Sequence, residues 1–308
     1  MRPFHKHSSI DACRAIPFVK MVGTGNDFLI IDAVHQRVGS LRTPWARIAQ
    51  AMCDRRYGVG ADGLLLLEPS RIADCRMRVL NPDGSEAQMC GNGVRCVAGL
   101  VSQWPGRRSD VVSIETLGGV VTAEVRRTRV RVRMPTPRHL RLGLRLEMDH
   151  QPWRLASVDT GVPHAVAIVD RVDQVDVERV GRQLRFHRLF QPRGTNVDFV
   201  EVNPEHPRRL RIRTYERGVE GETLACGTGV TAAAVVHALC QADGRTGRRA
   251  PGTVAHQIEV ETRSGETLTV SLTVVDRGGA KRVTDVTLEG AVQWVCQGVF
   301  PWSTRGRS

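Results

Sequence analysis

Most of the chain is patterned in short runs of β-branched and aliphatic residues, each cut off by Gly, Pro or Asp. In the first half, residues 28–31, 63–67, 76–80, 111–115, 120–125 and 129–134 read as strands. In the second, residues 153–158, 165–169, 197–202, 210–215, 258–262, 268–274 and 283–288 do. The stretch from Arg126 to Arg133 alternates Arg with Val at period two, the signature of a half-buried strand with a solvated face. Helical signals are fewer: residues 44–53, a shorter stretch at 176–184, and two apolar helices that open at Cys90 and Cys226, the second running toward Cys240. Pro135-Thr-Pro137 is the expected crossover between the halves. The pattern is that of an α+β chain in two halves, each a bent or closed sheet with a helix presenting a cysteine toward the other half. The expected divisions are a loose extension at 1–17, a first domain at 18–134, a second at 135–288, and a strand plus tail at 289–308 that returns to the first domain.

The two helix openings are copies of one another. Glu86-Ala-Gln-Met-Cys90-Gly91-Asn92-Gly93-Val94 recurs 136 residues later as Glu222-Thr-Leu-Ala-Cys226-Gly227-Thr228-Gly229-Val230. A C-G-x-G turn before an apolar helix aims unpaired backbone N–H groups and the positive end of the helix dipole at whatever lies in front of it. A cysteine there is expected to lean toward thiolate, and the amides after it can hold a carboxylate. One such motif reads most simply as a buried cysteine on a packing helix. Its repetition instead suggests two thiols on opposite sides of one small anion.

Composition narrows the function. With 308 residues the chain has ample core for two domains, and no run approaches the length of a membrane helix. The first ten residues lack the apolar stretch of a signal peptide, so the expected location is the cytoplasm. The net charge of +12 raises nucleic acid as a partner. Aromatic residues are few, however, and no nucleic-acid-binding signature is present, so neither nucleic acid nor membrane is an expected partner. The eight cysteines form no C-x-x-C pair and have no His at zinc-ligand spacing, which argues against a structural zinc or a redox pair. Cys13, Cys53, Cys75, Cys240 and Cys296 read as buried or incidental, and Cys96 as core. Lysines stand only at 6, 20 and 281, outside every motif, which leaves no obvious Schiff-base residue.

Seven segments, in order and at plausible spacing, carry a resemblance over about residues 18 to 295. They are Gly23-Thr-Gly-Asn26-Asp27-Phe28, Asn81-Pro-Asp-Gly-Ser-Glu86, Met89-Cys90-Gly-Asn-Gly93, Gly161-Val-Pro-His164, Gly194-Thr-Asn196-Val, Tyr215-Glu216-Arg217-Gly218 and Ala225-Cys226-Gly-Thr-Gly229. Together they resemble the diaminopimelate epimerases. The resemblance implies two pseudo-symmetric domains, each a mostly antiparallel sheet around a central helix, with the active site between them. It implies inversion of one α-carbon of 2,6-diaminopimelate between LL and meso forms, as a small-molecule substrate, with no metal or pyridoxal phosphate. Cys90 and Cys226 would be acid and base, and amides at Gly91, Asn92, Gly227 and Thr228 would grip the reacting carboxylate. Asn26, Asn81, Asn196, Glu216 and Arg217 would bind substrate, with Arg217 suited to a bidentate hold on the distal carboxylate. His164 and Glu216 would tune the thiols. A homodimer is left open.

Two departures bear on substrate more than on reaction. Val162 stands where many relatives have Asn, and Gly63 where some carry Gln. Taken alone, Asn26, Asn81 and Asn196 are turn residues in Gly- and Pro-rich loops. A cofactor-independent racemase of another polar amino acid, and a thiol redox or binding protein, stay open at this point.

Overall fold

A computed structural model describes residues 13–36, 44–149, 151–243, 252–278 and 280–303. The first half comprises β1 (Cys13–Gly23), β2 (Asn26–Asp32), α1 (Trp45–Cys53), β3 (Gly63–Glu68), β4 (Cys75–Leu80), β5 (Glu86–Ala87), α2 (Gly91–Val101), β6 (Val111–Thr116), β7 (Gly119–Arg126) and β8 (Arg129–Arg133). The second comprises β9 (Arg138–Met148), β10 (Gln151–Asp159), β11 (Pro163–Val169), α3 (Val177–Phe186), β12 (Asn196–Val202), β13 (Arg209–Glu216), β14 (Gly221–Thr223), α4 (Gly227–Asp243), β15 (Gly252–Glu261), β16 (Thr267–Arg277), β17 (Ala280–Ala291) and β18 (Gln293–Ser303).

The repeat seen in the sequence is a repeat of topology. In the first half β2 runs parallel to β3 across α1, β3 pairs antiparallel with β4, β4 turns back through β5 into α2, and β4 then takes β6 as a parallel neighbour. In the second, β11, α3, β12, β13, β14, α4 and β15 follow the same course. Each half closes with a meander, β6–β7–β8 or β15–β16–β17. The halves are hydrogen-bonded to each other through an antiparallel β8–β17 ladder. There the basic stripe meets acid: Glu289 of β17 accepts from Arg129 Nε at 2.6 Å and from Arg131 Nη2 at 2.8 Å, while Val130 and Val132 turn inward.

Both cysteine-bearing helices are apolar nearly all round, as a helix enclosed by sheet must be. α2 packs Val94, Val97, Ala98 and Val101 against β2, β3, β4 and β6. α4 packs Val230, Ala234, Val235 and Leu239 against β10 to β17. Each fully buried Val or Leu contributes roughly 1.5–3 kcal/mol relative to exposure. The central helices are therefore fixed by the core rather than by capping alone. The amphipathic helices α1 and α3 cover the outer sheet faces, burying Ile48 and Met52, and Val177, Val180 and Leu184.

Residues 1–12 of the expected loose extension lie outside the described residues, and residues 13–17 are not loose. They begin β1, which pairs along its length with β18 and then with β2, and Ile16 is fully buried. Pro17 lies in the β1–β18 ladder opposite Val299. Strand β9, opposite β10, was likewise unread. Cys53, Cys75 and Cys96 are buried, while Cys240 and Cys296 are exposed; the side chain of Cys13 lies outside the description.

Candidate active site

Cys90 is the N-cap of α2. Its backbone is extended, its carbonyl accepts from Val94 N–H at 2.8 Å, and its Sγ accepts from Gly93 N–H at 3.4 Å. Cys226 stands at the same place before α4, its carbonyl accepting from Val230 N–H at 2.9 Å. The two helices touch, and the charge of one carboxylate, Glu216, acts on both thiols. The glycines of the two motifs have different reasons to be there. A Cβ on Gly91 would meet no atom within 4 Å, whereas one on Gly229 would overlap Asp198 Oδ1 and come within 3.2 Å of its Cγ.

The expected lean toward thiolate is reversed in the structure. Both cysteines keep some accessible surface, yet protein crowds them, and burial pushes both thiols up. A helix terminus supplies about half a unit charge, less than desolvation removes. Cys90 is partly relieved by the Gly93 amide, by Arg95 and by Asn92. Cys226 is raised further by Glu216 and Asp198, against which Thr228 and Gly229 offer hydrogen bonds.

Behind Cys90 lies a buried cation. Arg95, on α2, is fully buried; its Nη2 donates to Thr24 Oγ1 at 2.5 Å and to Asn92 Oδ1 at 2.8 Å. Burial lowers its pKa, and among the described residues Nε and Nη1 find no hydrogen-bond partner. Asn92 Nδ2 donates onward to Asn26 Oδ1 at 2.6 Å, and Asn26 Nδ2 to Asp62 Oδ2 at 3.0 Å. Asn26 and Asn92 are thus held rigidly beside Cys90. Asn81 takes no part in these hydrogen bonds; its amide donates to Ser85 Oγ at 2.9 Å within its own turn.

Around Cys226 the side chains converge from β11, β12 and β13. His164 is buried with Nδ1 2.7 Å from Asp198 Oδ2 and Nε2 2.9 Å from Thr228 Oγ1, which lies 3.3 Å from Cys226 Sγ. Asn196 Oδ1 accepts from the backbone N–H of Arg217 at 2.8 Å and so positions that residue. The Arg217 guanidinium reaches the Arg193 carbonyl at 3.2 Å; among the described residues no carboxylate pairs with it. Glu216 is mostly buried and its carboxyl is raised, chiefly by desolvation. A separate cavity of about 280 Å³ reaches His164 from the side of His139, Arg141 and Arg193, but neither cysteine lines it.

Asp198, Arg95 and Asp62 were not singled out in the sequence. For two of them a signal existed: Asp198 interrupts the apolar run Val197-Asp-Phe-Val200, and Arg95 interrupts Gly93-Val-Arg-Cys-Val-Ala98. A charge inside a run that must be buried requires a partner or a purpose. Among the described residues, no group of three His, Cys, Asp or Glu side chains is placed to hold a metal ion, and no helix is long and apolar enough to cross a membrane.

The architecture is shared with solved structures of other proteins. A hydroxyproline epimerase from Agrobacterium vitis superposes with a TM-score of 0.65 at 18% identity, over 95% of this chain and 94% of its own. A Bacillus anthracis phenazine biosynthesis protein of the PhzF family gives 0.66 at 15% identity, over 93% and 99%. These likenesses define the fold class, two domains of mixed sheet that each enclose a helix. Within that class the sequence is more specific: the diaminopimelate epimerase family model matches residues 18–140 and 156–287. A diaminopimelate epimerase from Archaeoglobus fulgidus is 40% identical over 287 residues, covering 88% of this chain and 95% of the relative. The chain belongs to the diaminopimelate epimerase family, and it is an isomerase.

Proposed function

We propose that the protein inverts one α-carbon of LL-2,6-diaminopimelate to give the meso isomer, using Cys90 and Cys226 as the two proton carriers. The observation that carries this reading is a cysteine at the start of each of two helices that contact one another, both thiols under the influence of one carboxylate. An α-hydrogen is weakly acidic, so its removal needs a base on one face, an acid on the other, and donors for the carboxylate as it gains enolate character. The first-turn amides of α2 and α4, at Gly91, Asn92, Gly227 and Thr228, suit that last task, and the open space at Gly91 is consistent with close approach of a ligand. Arg217 would hold the distal carboxylate through its planar fork. Glu216 and Asn196 would face the rest of the substrate, with Asn26 and Asn92 fixing the wall beside Cys90. Asn81 belongs to this set only if its turn releases its amide. A diffusible small-molecule substrate and membership of the family support a cytoplasmic location.

The test is incubation with LL-diaminopimelate in D2O, followed by mass spectrometry and chiral analysis. Deuterium at one α-carbon together with the meso isomer is the expected result. Deuterium in a different polar amino acid, with none in diaminopimelate, would replace the substrate and keep the chemistry. No exchange in any amino acid would favour a thiol-binding role.

A further inference from the structure

Four side chains form a continuous line that ends at Cys226. Asp198, on β12, has its side chain fully buried, with both oxygens engaged: Oδ2 lies 2.7 Å from His164 Nδ1, and Oδ1 accepts from Thr214 Oγ1 at 2.8 Å. His164 Nε2 lies 2.9 Å from Thr228 Oγ1, and Thr228 Oγ1 lies 3.3 Å from Cys226 Sγ. The arrangement is clamped, because a Cβ on Gly229 would displace the Asp198 carboxylate.

The directions of the hydrogens follow from what each group can do. A carboxylate only accepts, so His164 carries its proton on Nδ1. Nε2 of the neutral ring must then accept, and the Thr228 hydroxyl donates to it. The lone pairs of that hydroxyl are left facing the thiol, which donates in turn. Every hydrogen in the line points toward Asp198.

We propose that this line is a proton relay that forms the Cys226 thiolate through the Thr228 hydroxyl, with Asp198 as the positioning residue that makes His164 the receiver. The Cys226 proton passes to the Thr228 oxygen as the Thr228 proton passes to His164 Nε2. One S–H bond breaks and one N–H bond forms, while the hydroxyl exchanges one proton for another. The products are a thiolate, an imidazolium facing the Asp198 carboxylate, and a hydroxyl now donating to sulfur. The reverse shift restores the thiol, and no proton leaves the site. The charged groups facing Cys226 are Glu216 and Asp198, so a bare thiolate would stand as a further negative charge beside two others. Keeping its proton on His164 leaves the total charge of the cluster unchanged.

The role assigned to Cys226 at the α-carbon rests on the reading above, but the relay can be tested without turnover. The experiment measures the iodoacetamide alkylation rate of Cys226 in the substrate-free protein by peptide mass mapping from pH 5 to pH 10, with Cys90 as an internal control. Thr228→Val should slow Cys226 tenfold or more at neutral pH and steepen its dependence on pH, and Cys90 should stay within about twofold. Thr228→Ser, which keeps the hydroxyl, should recover most of that rate. Asp198→Asn should also slow Cys226, since losing the partner that holds the imidazolium outweighs removing a negative charge that faces the thiol. Should Asp198→Asn fail to fold by circular dichroism, the two Thr228 variants decide the matter alone. Equal Cys226 rates and pH profiles in Thr228→Val and the parent protein overturn the relay, and so does a parallel slowing of both cysteines. Relay-dependent alkylation without turnover of diaminopimelate keeps the relay and removes the substrate; turnover with relay-independent alkylation removes the relay alone.

Discussion

The first glycine of one motif and the second glycine of the other stand in opposite surroundings, which gives a paired prediction for Gly91→Ala and Gly229→Ala. At Gly91 the added methyl meets nothing within 4 Å, so the folded protein gains helix propensity without strain. Replacing Gly by Ala in a helix is worth up to about 1 kcal/mol. At Gly229 the same gain is opposed by overlap with the Asp198 carboxylate, which is boxed in by His164 and Thr214 and has nowhere to go. Overpacking costs about 1–3 kcal/mol, and breaking a charge-assisted hydrogen bond about 1.5–3. Net destabilisation is therefore roughly 2–4 kcal/mol, or a Tm lower by roughly 5–10 °C. Activity should follow another order. Gly91→Ala should melt at or slightly above the parent temperature yet lose about 100-fold in kcat/KM, because its methyl occupies the approach to the first-turn amides of α2. Calorimetry and an epimerisation assay on the same preparations separate the two effects. A fully active Gly91→Ala would show that no substrate atom approaches that amide, and a Gly229→Ala as stable as the parent would refute the packing argument.

Three further outcomes follow from the geometry. Arg217→Lys should raise KM at least tenfold with a much smaller change in kcat, since an ammonium cannot reproduce a planar fork; initial-rate kinetics with LL-diaminopimelate would expose an unchanged KM. Cys90→Ala and Cys226→Ala should each abolish inversion, while α-proton exchange from a single isomer in D2O survives in one or both; inversion by either variant would remove that cysteine from the mechanism. Burial raises the Glu216 carboxyl, so the folded state favours its protonated form, and that contribution is present at acid pH and lost as pH rises through the raised value. Glu216→Gln, which is always neutral, should therefore gain in Tm over the parent as pH rises toward 7 while losing activity, and a Tm difference independent of pH would contradict the sign.

The sequence disclosed what repeats and what alternates. Period-two runs marked the meanders, and the all-round apolar character of 91–101 and 227–239 marked helices that had to lie inside a sheet. Hidden were the features that depend on a distant partner. Residues 13–17 read as part of a loose extension, yet they begin β1, whose strand character comes from pairing with β18 across nearly the whole chain length. The Leu and Arg alternation of β9 was readable but sits on an exposed strand, where pattern carries little core signal. The site divided in the same way. Cys90, Cys226, His164, Asn196, Glu216 and Arg217 were found through motifs, and the structure brings His164, Glu216 and Asn196 to the Cys226 side. Asp198 and Arg95 were passed over because a single charge in an apolar run acquires meaning only when its partners are known.

Those two overlooked charges are what make the halves differ. The scaffold repeats strand for strand, and each cysteine occupies the same cap, with the same carbonyl accepting from the residue four positions on. By symmetry alone the two thiols would ionise alike. Arg95 adds a positive charge behind Cys90 that forms no ion pair among the described residues, whereas Asp198 and Glu216 add negative charge around Cys226. Burial raises both thiols, and the fixed charges then oppose that rise at Cys90 and reinforce it at Cys226. A two-thiol reaction needs one sulfur with a proton and one without at the moment substrate arrives. Duplication provides the two positions, and one buried charge in each half removes their equivalence without disturbing the repeated backbone that sets them.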